Sequence, residues 1–172
     1  MSASVVAVPF GWARAADAGL TFRRIADADL PFLARVYGST RAEELASVTY
    51  WSEAQKAAFV DLQFHAQHAH YQKYYPEADW LVTSHAGEDV GRLYIARWPS
   101  QHRLIDIAFL PEHRNKGFGE ALLRDLMDEA AAVNKAVSIH VEKHNPAMRL
   151  YRRLGFTVEE DKGVYDLMRW SA

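Results

Sequence analysis

Cysteine is absent from the 172-residue chain. Its absence excludes disulfides, thiolate metal sites and a cysteine nucleophile together, and it agrees with a cytoplasmic protein. Long apolar runs are missing too. The apolar start Val5-Val6-Ala7-Val8 is far too short to span a bilayer, and no Lys or Arg precedes it to make a secretory signal. Neither sign of charge dominates: 20 Lys and Arg stand against 22 Asp and Glu, for a formal charge of −2 and a pI of about 6.4. That balance gives no ground for a nucleic-acid or membrane partner. No repeat, low-complexity tract or linker divides the chain. What remains is 49% hydrophobic and 12% aromatic, enough for one domain with a sizeable core. Residues 1–20 read as an N-terminal extension, unstructured in part or added to a sheet edge, and residues 21–172 as a single domain.

Periodicity and punctuation give the element order β-α-α-β-β-β-α-β-α-β-β, a mixed α/β domain. Thr21–Ile25 reads as a strand. Asp27 and Asp29 supply capping chemistry for a helix through Leu30, Leu33 and Tyr37, with Pro31 in its first turn. A second helix starts at Ser52 and runs toward Tyr71, its apolar positions being Ala54, Ala57, Ala58, Phe59 and Leu62. Strands follow at Trp80–Thr83, Val90–Ile95 and Arg103–Leu110, with a turn at 86–89. In the last of these, alternation places Ile105, Ile107 and Phe109 on one face and Asp106 and Ala108 on the other. A helix over Gly117–Val133 carries Phe118, Leu122, Leu126 and Ala130. Ala136–Val141 is a strand, and Asn145-Pro146 opens a short helix that Gly155 ends. Phe156–Glu159 and Val164–Arg169 close the sheet.

The chemistry concentrates at Arg114-Asn115-Lys116-Gly117-Phe118-Gly119, between a strand and a helix. Unpaired amides at a helix start, two glycines and two cations read as a cradle for an anion such as a pyrophosphate, or equally as a helix start that happens to contain two glycines. The dinucleotide fingerprint fails because Leu122 stands where a third Gly or Ala belongs, and a Walker loop fails for want of Gly-Lys-Ser/Thr. The hexapeptide resembles the Arg/Gln-x-x-Gly-x-Gly/Ala loop of the GCN5-related N-acetyltransferase (GNAT) superfamily. The preceding Ile107-Ala108-Phe109-Leu110-Pro111-Glu112 resembles the strand and turn that enter that loop. Asn145-Pro146-Ala147-Met148-Arg149-Leu150-Tyr151-Arg152-Arg153-Leu154-Gly155-Phe156 resembles the second family signature, Asn-x-x-Ala-x-x-Leu-Tyr-x-x-Leu-Gly-Phe. The match is strong over residues 104–156, and the first hundred residues fit in element order alone.

The resemblance implies a GNAT fold: a central, mostly antiparallel sheet with a splayed parallel strand pair, flanked by about four helices. It implies acetyl-coenzyme A as acyl donor, no metal, and direct transfer to an amine. The amides of Arg114, Asn115, Lys116, Gly117, Phe118 and Gly119 would hold the pyrophosphate. The backbone at Phe109 and Leu110 would pair with the pantetheine arm, an N–H near Phe109 would hold the oxyanion, and Asn145 would bond the arm. Tyr151 would protonate the leaving thiolate; on the residues alone it reads rather as a packed aromatic on the helix's apolar stripe. Asp106 is the candidate base, acceptor anchor or structural carboxylate, with His102, Tyr94 and His140 in reserve. Glu43, Glu44 and Trp51, between the first two helices, would meet a cationic amine, or form a solvated helix with an aromatic packing anchor. Lys143, Arg149, Arg152 and Arg153 form a basic set for the 3′-phosphate or a solvated face. His65, His68 and His70 read as surface or acceptor-pocket residues rather than metal ligands, lacking a convincing ligand spacing. The acceptor expected is a small cationic amine. An acyl-coenzyme A-binding module without turnover, and transfer to a protein N-terminus or aminoacyl-tRNA, stand as alternatives. A monomer or homodimer is compatible with all of these.

Overall fold

The computed structural model describes residues 11–172 and the backbone of 5–6. The other positions of the apolar start lie outside the described residues. Among the described residues the segments are, in order, β1 (Val5–Val6), α1 (Ala13–Asp17), β2 (Leu20–Arg24), a 3-10 turn (Asp27–Asp29), α2 (Leu30–Thr40), α3 (Ala42–Ala46), α4 (Glu53–Tyr74), β3 (Asp79–His85), β4 (Glu88–Arg97), β5 (Gln101–Phe109), a second 3-10 turn (Pro111–His113), α5 (Phe118–Ala132), β6 (Ala136–Glu142), α6 (Met148–Arg153), β7 (Thr157–Asp161) and β8 (Tyr165–Trp170). The strands form one sheet in the order β1-β2-β3-β4-β5-β6-β8-β7. Every neighbouring pair is antiparallel except β5–β6. This is the mixed sheet that the sequence implies, with β1, α1 and α3 in addition.

Adjacent residues of a strand point to opposite faces, so a strand covered on both sides feeds two cores. Leu81 joins one cluster and Val82 the other. The larger cluster packs α5 onto the sheet through Phe118, Leu122, Leu126 and Ala130, and α6 joins it through Met148 and Tyr151. The smaller sets Leu33 and Tyr37 of α2 against Phe64 of α4 and Val82. A fully buried leucine such as Leu122 contributes roughly 1.5–3 kcal/mol by leaving water.

The expected extension carries Trp12 and Ala15 into the larger core. Asp125 of α5, 4% exposed, accepts from the Ala15 amide at 2.8 Å and from Arg14 Nη1 at 3.2 Å. It satisfies amides at the start of α1 that the helix itself leaves unpaired. On α4 the apolar positions read from the sequence do not face the core. Ala54, Ala57, Ala58, Phe59 and Leu62 are exposed, whereas Phe64 is buried and Val60 and Tyr71 half-buried. The helix turns Val60, Phe64 and Tyr71 toward α2 and the sheet, and Phe59 and Leu62 lie with the alanines on the exposed side. Ser52 caps it as expected: its Oγ accepts from the Gln55 amide at 3.1 Å, and Gln55 Oε1 accepts from the Ser52 amide at 2.8 Å.

Two features of β4–β5 place the site. Tyr94 pairs with Asp106 and Ile95 with Leu104, so Ile105 is an extra residue, a β-bulge. The bulge inverts the alternation before it. Leu104, rather than Ile105, joins the core with Ile107 and Phe109. The second feature is Gly91, opposite Phe109. A Cβ there would stand 2.3 Å from the Ala108 carbonyl oxygen and 2.9 Å from the Phe109 ring. Gly91→Ala is expected to cost about 3 kcal/mol, the upper end of overpacking, because the opposing oxygen belongs to backbone. Urea unfolding reads this directly, and a loss below about 0.5 kcal/mol would show that the strands part without strain.

Candidate acetyl-coenzyme A and acceptor site

β5 and β6 pair only from Gln101↔Ala136 to Leu104↔Ile139, yet β5 continues to Phe109 and β6 to Glu142. Beyond the bulge the two strands splay. The Leu110 amide donates to the Val90 carbonyl at 2.9 Å. Successive backbone groups of a strand point to alternate edges. Phe109 and Ile107 therefore turn their N–H and C=O groups away from β4, into the splay. An extended ligand can add there as a strand. This corrects the expectation for Leu110: its amide serves Val90 and its carbonyl accepts from the His113 amide at 2.9 Å. Ile107, not Leu110, partners Phe109 on the open edge.

The loop after β5 leads to that edge. Asn115 has φ 60° and Gly117 φ 80°, both left-handed, and such turns gather successive N–H groups into a concavity. Among the described residues, the amides of 115–119 make no hydrogen bond within the protein. Nothing lies within 4 Å of a Cβ built on Gly117 or Gly119. Free donors, open space and the start of the 15-residue α5 fit a diphosphate. Arg114 differs from its expected part. Its amide donates to the Pro111 carbonyl at 3.2 Å, its Nε to the Phe109 carbonyl at 2.9 Å and its Nη2 to Ser39 Oγ at 3.0 Å. The guanidinium thus braces the strand end, and both Arg114 and Lys116 are exposed. Asn145 uses its Oδ1 to accept from the Ala147 amide at 2.9 Å, starting the turn into α6; its amide nitrogen remains for a ligand. Arg153 is tied to Glu120 at 2.5 Å and Lys143 to Asp161 at 2.6 Å, while Arg149 and Arg152 are exposed.

Tyr151 on α6 is 3% exposed and packs edge-on to Phe156, with ring centroids 5.7 Å apart. Burial, and next the charge of Asp106, push its hydroxyl pKa up. Asp106 is itself bound to Arg92 of β4 in an ion pair. Arg92 is 2% exposed, donates to Gln67 Oε1 at 3.0 Å and lies 5.3 Å from the Tyr94 ring centre. The carboxylate thus neutralises a buried guanidinium. Removing either partner would leave the other uncompensated, which costs about 3–5 kcal/mol.

Beside the bulge opens a cavity of about 540 Å³, walled by α2, α4, β5, β6 and β8. Tyr37, Tyr71, Tyr75 and Tyr165 give it an aromatic lining; Arg41, Arg103, His140 and Lys162 give it charge and imidazole. No carboxylate among the described residues lines it. Glu43, Glu44 and Trp51 stand outside. Both acids are exposed, Glu44 pairs with Arg41 at 3.0 Å, and Trp51 packs on Phe59 at 5.3 Å. Of the reserves, His140 lines the cavity. His102 is buried against Glu129 at 2.8 Å, and Tyr94 is packed by Trp80 at 5.0 Å. His70 also faces the cavity, while His65 pairs with Asp61 at 3.4 Å and His68 stacks on Phe64. Among the described residues no group of three or more His, Asp and Glu is placed to hold a metal. No helix among them is long and apolar enough to cross a membrane. Sequence reasoning passed over Arg92 and Arg103. The available signal for Arg92 was a lone cation in the otherwise apolar run Val90–Ile95; Arg103 follows the polar Gln101 and His102 and carries no such mark.

Comparison with known proteins places this geometry. The family model described as "Acetyltransferase (GNAT) family" matches residues 45–156. No curated protein sequence matches the chain. Among solved structures, the PaiA N-acetyltransferase of Thermoplasma acidophilum in complex with coenzyme A superposes with a TM-score of 0.66 at 16% identity, covering 89% of this chain and 99% of that one. An acetyltransferase of Thermus thermophilus gives 0.61 at 19% identity, with 89% and 97% covered. The ribosomal-protein-S18-alanine N-acetyltransferase of Escherichia coli gives 0.58 at 21% identity, with 88% and 93% covered. These likenesses carry the fold, and the family match carries the chemistry: the chain belongs to the GNAT acetyltransferase family and is an acetyl-coenzyme A-dependent N-acetyltransferase.

Proposed function

We propose that this enzyme acetylates the primary amine of a small molecule held in the cavity beside the Ile105 bulge. One observation carries the reading: the edge of β5 that no strand covers, open at Ile107 and at the Phe109 amide, lies between an amide-lined loop and that cavity. The amides of 115–119, with Lys116, hold the diphosphate of the donor. The edge groups of Ile107 and Phe109 hold its pantetheine arm, together with the Asn145 side-chain amide. Coenzyme A supplies the activated acetyl thioester. An N–H of the same edge stabilises charge on the acetyl oxygen, a donor typically worth about 3 kcal/mol of barrier. The neutral amine nitrogen bonds to the acetyl carbon, the carbon–sulfur bond breaks, and the proton that the nitrogen loses passes to solvent, from which the released thiolate takes one in turn. Tyr151 donates a hydrogen bond from its hydroxyl to the departing sulfur. Asp106, engaged with Arg92, acts as a positioning residue whose charge keeps the phenol protonated.

A volume of about 540 Å³ falls within the range of small-molecule sites, roughly 300–1,000 Å³. The expectation of a cationic acceptor rested on Glu43, Glu44 and Trp51, and the charge lining the cavity runs the other way. The test is amine-dependent thiol release from acetyl-coenzyme A. At least one small amine is expected to raise the rate far above buffer hydrolysis. Tight coenzyme binding with no amine dependence would mark a binding module without turnover.

A further inference from the structure

We propose that the acceptor carries an anionic group, a carboxylate or a phosphate, beside its amine, and that Arg103 receives it. This deepens, and rests on, the acetyl-transfer reading of the same cleft. Arg103 of β5 lines the cavity and is 7% exposed. Its Nε donates to Ser138 Oγ at 2.9 Å, its Nη1 lies 3.2 Å from His140 Nδ1, and its guanidinium sits 4.8 Å from the Trp98 ring centre. These contacts fix the plane of the guanidinium without neutralising it. Among the described residues no carboxylate pairs with Arg103.

The other cations of the cavity are already matched. Arg41 is paired with Glu142 at 2.8 Å, and Lys162 with Glu160 at 3.6 Å. Arg103 is therefore the cavity's one uncompensated permanent charge among the described residues. A charge held out of water without a counter-ion is costly, and a ligand anion removes that cost when it binds. A guanidinium with its plane fixed also suits the fork of an oxyanion better than a mobile ammonium does. His140 adds to the asymmetry. Burial, then the neighbouring charges of Arg103 and Lys162, lower its pKa against the opposing pull of Glu160, so its ring stays neutral near pH 7 and available for hydrogen bonding. The placement is apt for transfer. Arg103 stands two residues, about 7 Å along the strand, before the bulge where the free edge begins. An amine and an anion within one small molecule can span that interval.

The test compares matched acceptors on the wild-type enzyme at saturating acetyl-coenzyme A. Each common amino acid is run against its carboxamide, and short aminoalkyl phosphonates against diamines of the same length. A charge-assisted hydrogen bond carries a net value of about tenfold to a hundredfold in affinity. The best anionic acceptor is expected to exceed its uncharged mate at least about tenfold in kcat/KM. The amino-acid and phosphonate arms tell a carboxylate from a phosphate. In Arg103→Gln the ratio between mates should fall to within about threefold, through KM rather than kcat, and Arg103→Lys should restore part of it. Diamines or carboxamides preferred by the wild type would overturn the proposal, as would a ratio that Arg103→Gln leaves intact. Should that variant not fold, the wild-type ratio and its fall in Arg103→Lys decide. Thiol release with no amine of any kind would instead sink the acetyl-transfer reading itself.

Discussion

Gly117→Glu is expected to erase the melting shift that acetyl-coenzyme A gives the wild-type protein. A ligand at about a hundred times its Kd stabilises the native state by about 2.7 kcal/mol, which for a domain of this size moves Tm by roughly 5–10 °C. Gly117 sits at φ 80° before α5, with open space where a side chain would stand. A glutamate there puts a carboxylate and two further carbons into the volume reserved for the diphosphate. The left-handed backbone costs a non-glycine residue about 1–2 kcal/mol, so the variant should melt a few degrees lower and still fold. An acidic group at a helix start even recovers part of that loss. Gly117→Ala separates the two effects: it carries the strain without the charge, and should keep most of the ligand shift. A full shift in Gly117→Glu would mean that the diphosphate lies elsewhere.

That loop was legible in the sequence because its requirements are local. A strand that ends at Pro111, a turn that needs positive φ at Asn115 and Gly117, and a helix that buries every third or fourth residue leave marks within twenty positions. The same holds for α6, where Asn145 starts the turn and the stripe Leu150, Tyr151, Leu154 follows. What escaped depends on partners distant in the chain. Ile105 alternates correctly with its neighbours, and the bulge exists only because β4 pairs across it in two registers. No pattern in β5 alone assigns Asp106 to Arg92, fourteen positions earlier, or reveals that α3 falls outside the cavity. The N-terminal segment escaped for the same reason: Trp12 and Ala15 have a core to enter only once Asp125 of α5 holds the start of α1.

The charge proposed for the acceptor depends on such distant pairings. Read along the chain, Glu43 and Glu44 form an acidic step beside an aromatic pair, an invitation to a cation. In the fold Arg41 holds Glu44 on the rim, and β5 brings Arg103 to the wall with no carboxylate facing it among the described residues. Sequence proximity points to α3 and sheet topology to β5, and of the two only Arg103 lines the cavity.

Tyr151→Phe should bind acetyl-coenzyme A as the wild type does and turn over about a hundredfold more slowly, the lower range for removing a general acid. The fold has little reason to respond. The ring packs in the larger core against Phe156, and phenylalanine preserves that contact while removing one oxygen. The hydroxyl's raised pKa shapes the expectation. A phenol above its ordinary value of about 10 is a weaker acid than a free thiol near 8.5, so complete transfer to a relaxed thiolate runs uphill. The hydrogen bond gains most while the carbon–sulfur bond is breaking and the sulfur has not relaxed, which assigns the effect to kcat rather than to binding. Burial and the charge of Asp106 keep the phenol protonated through about pH 6–9, so the acceptor amine sets the pH dependence of both enzymes in that range. Plots of log kcat against pH are therefore expected to run parallel, separated by a constant factor. Rapid-quench measurement of the first turnover establishes that chemistry limits both. Equal first-turnover rates would return Tyr151 to the core as packing alone, and a gap that widens or closes with pH would point to a titrating donor elsewhere in the cleft.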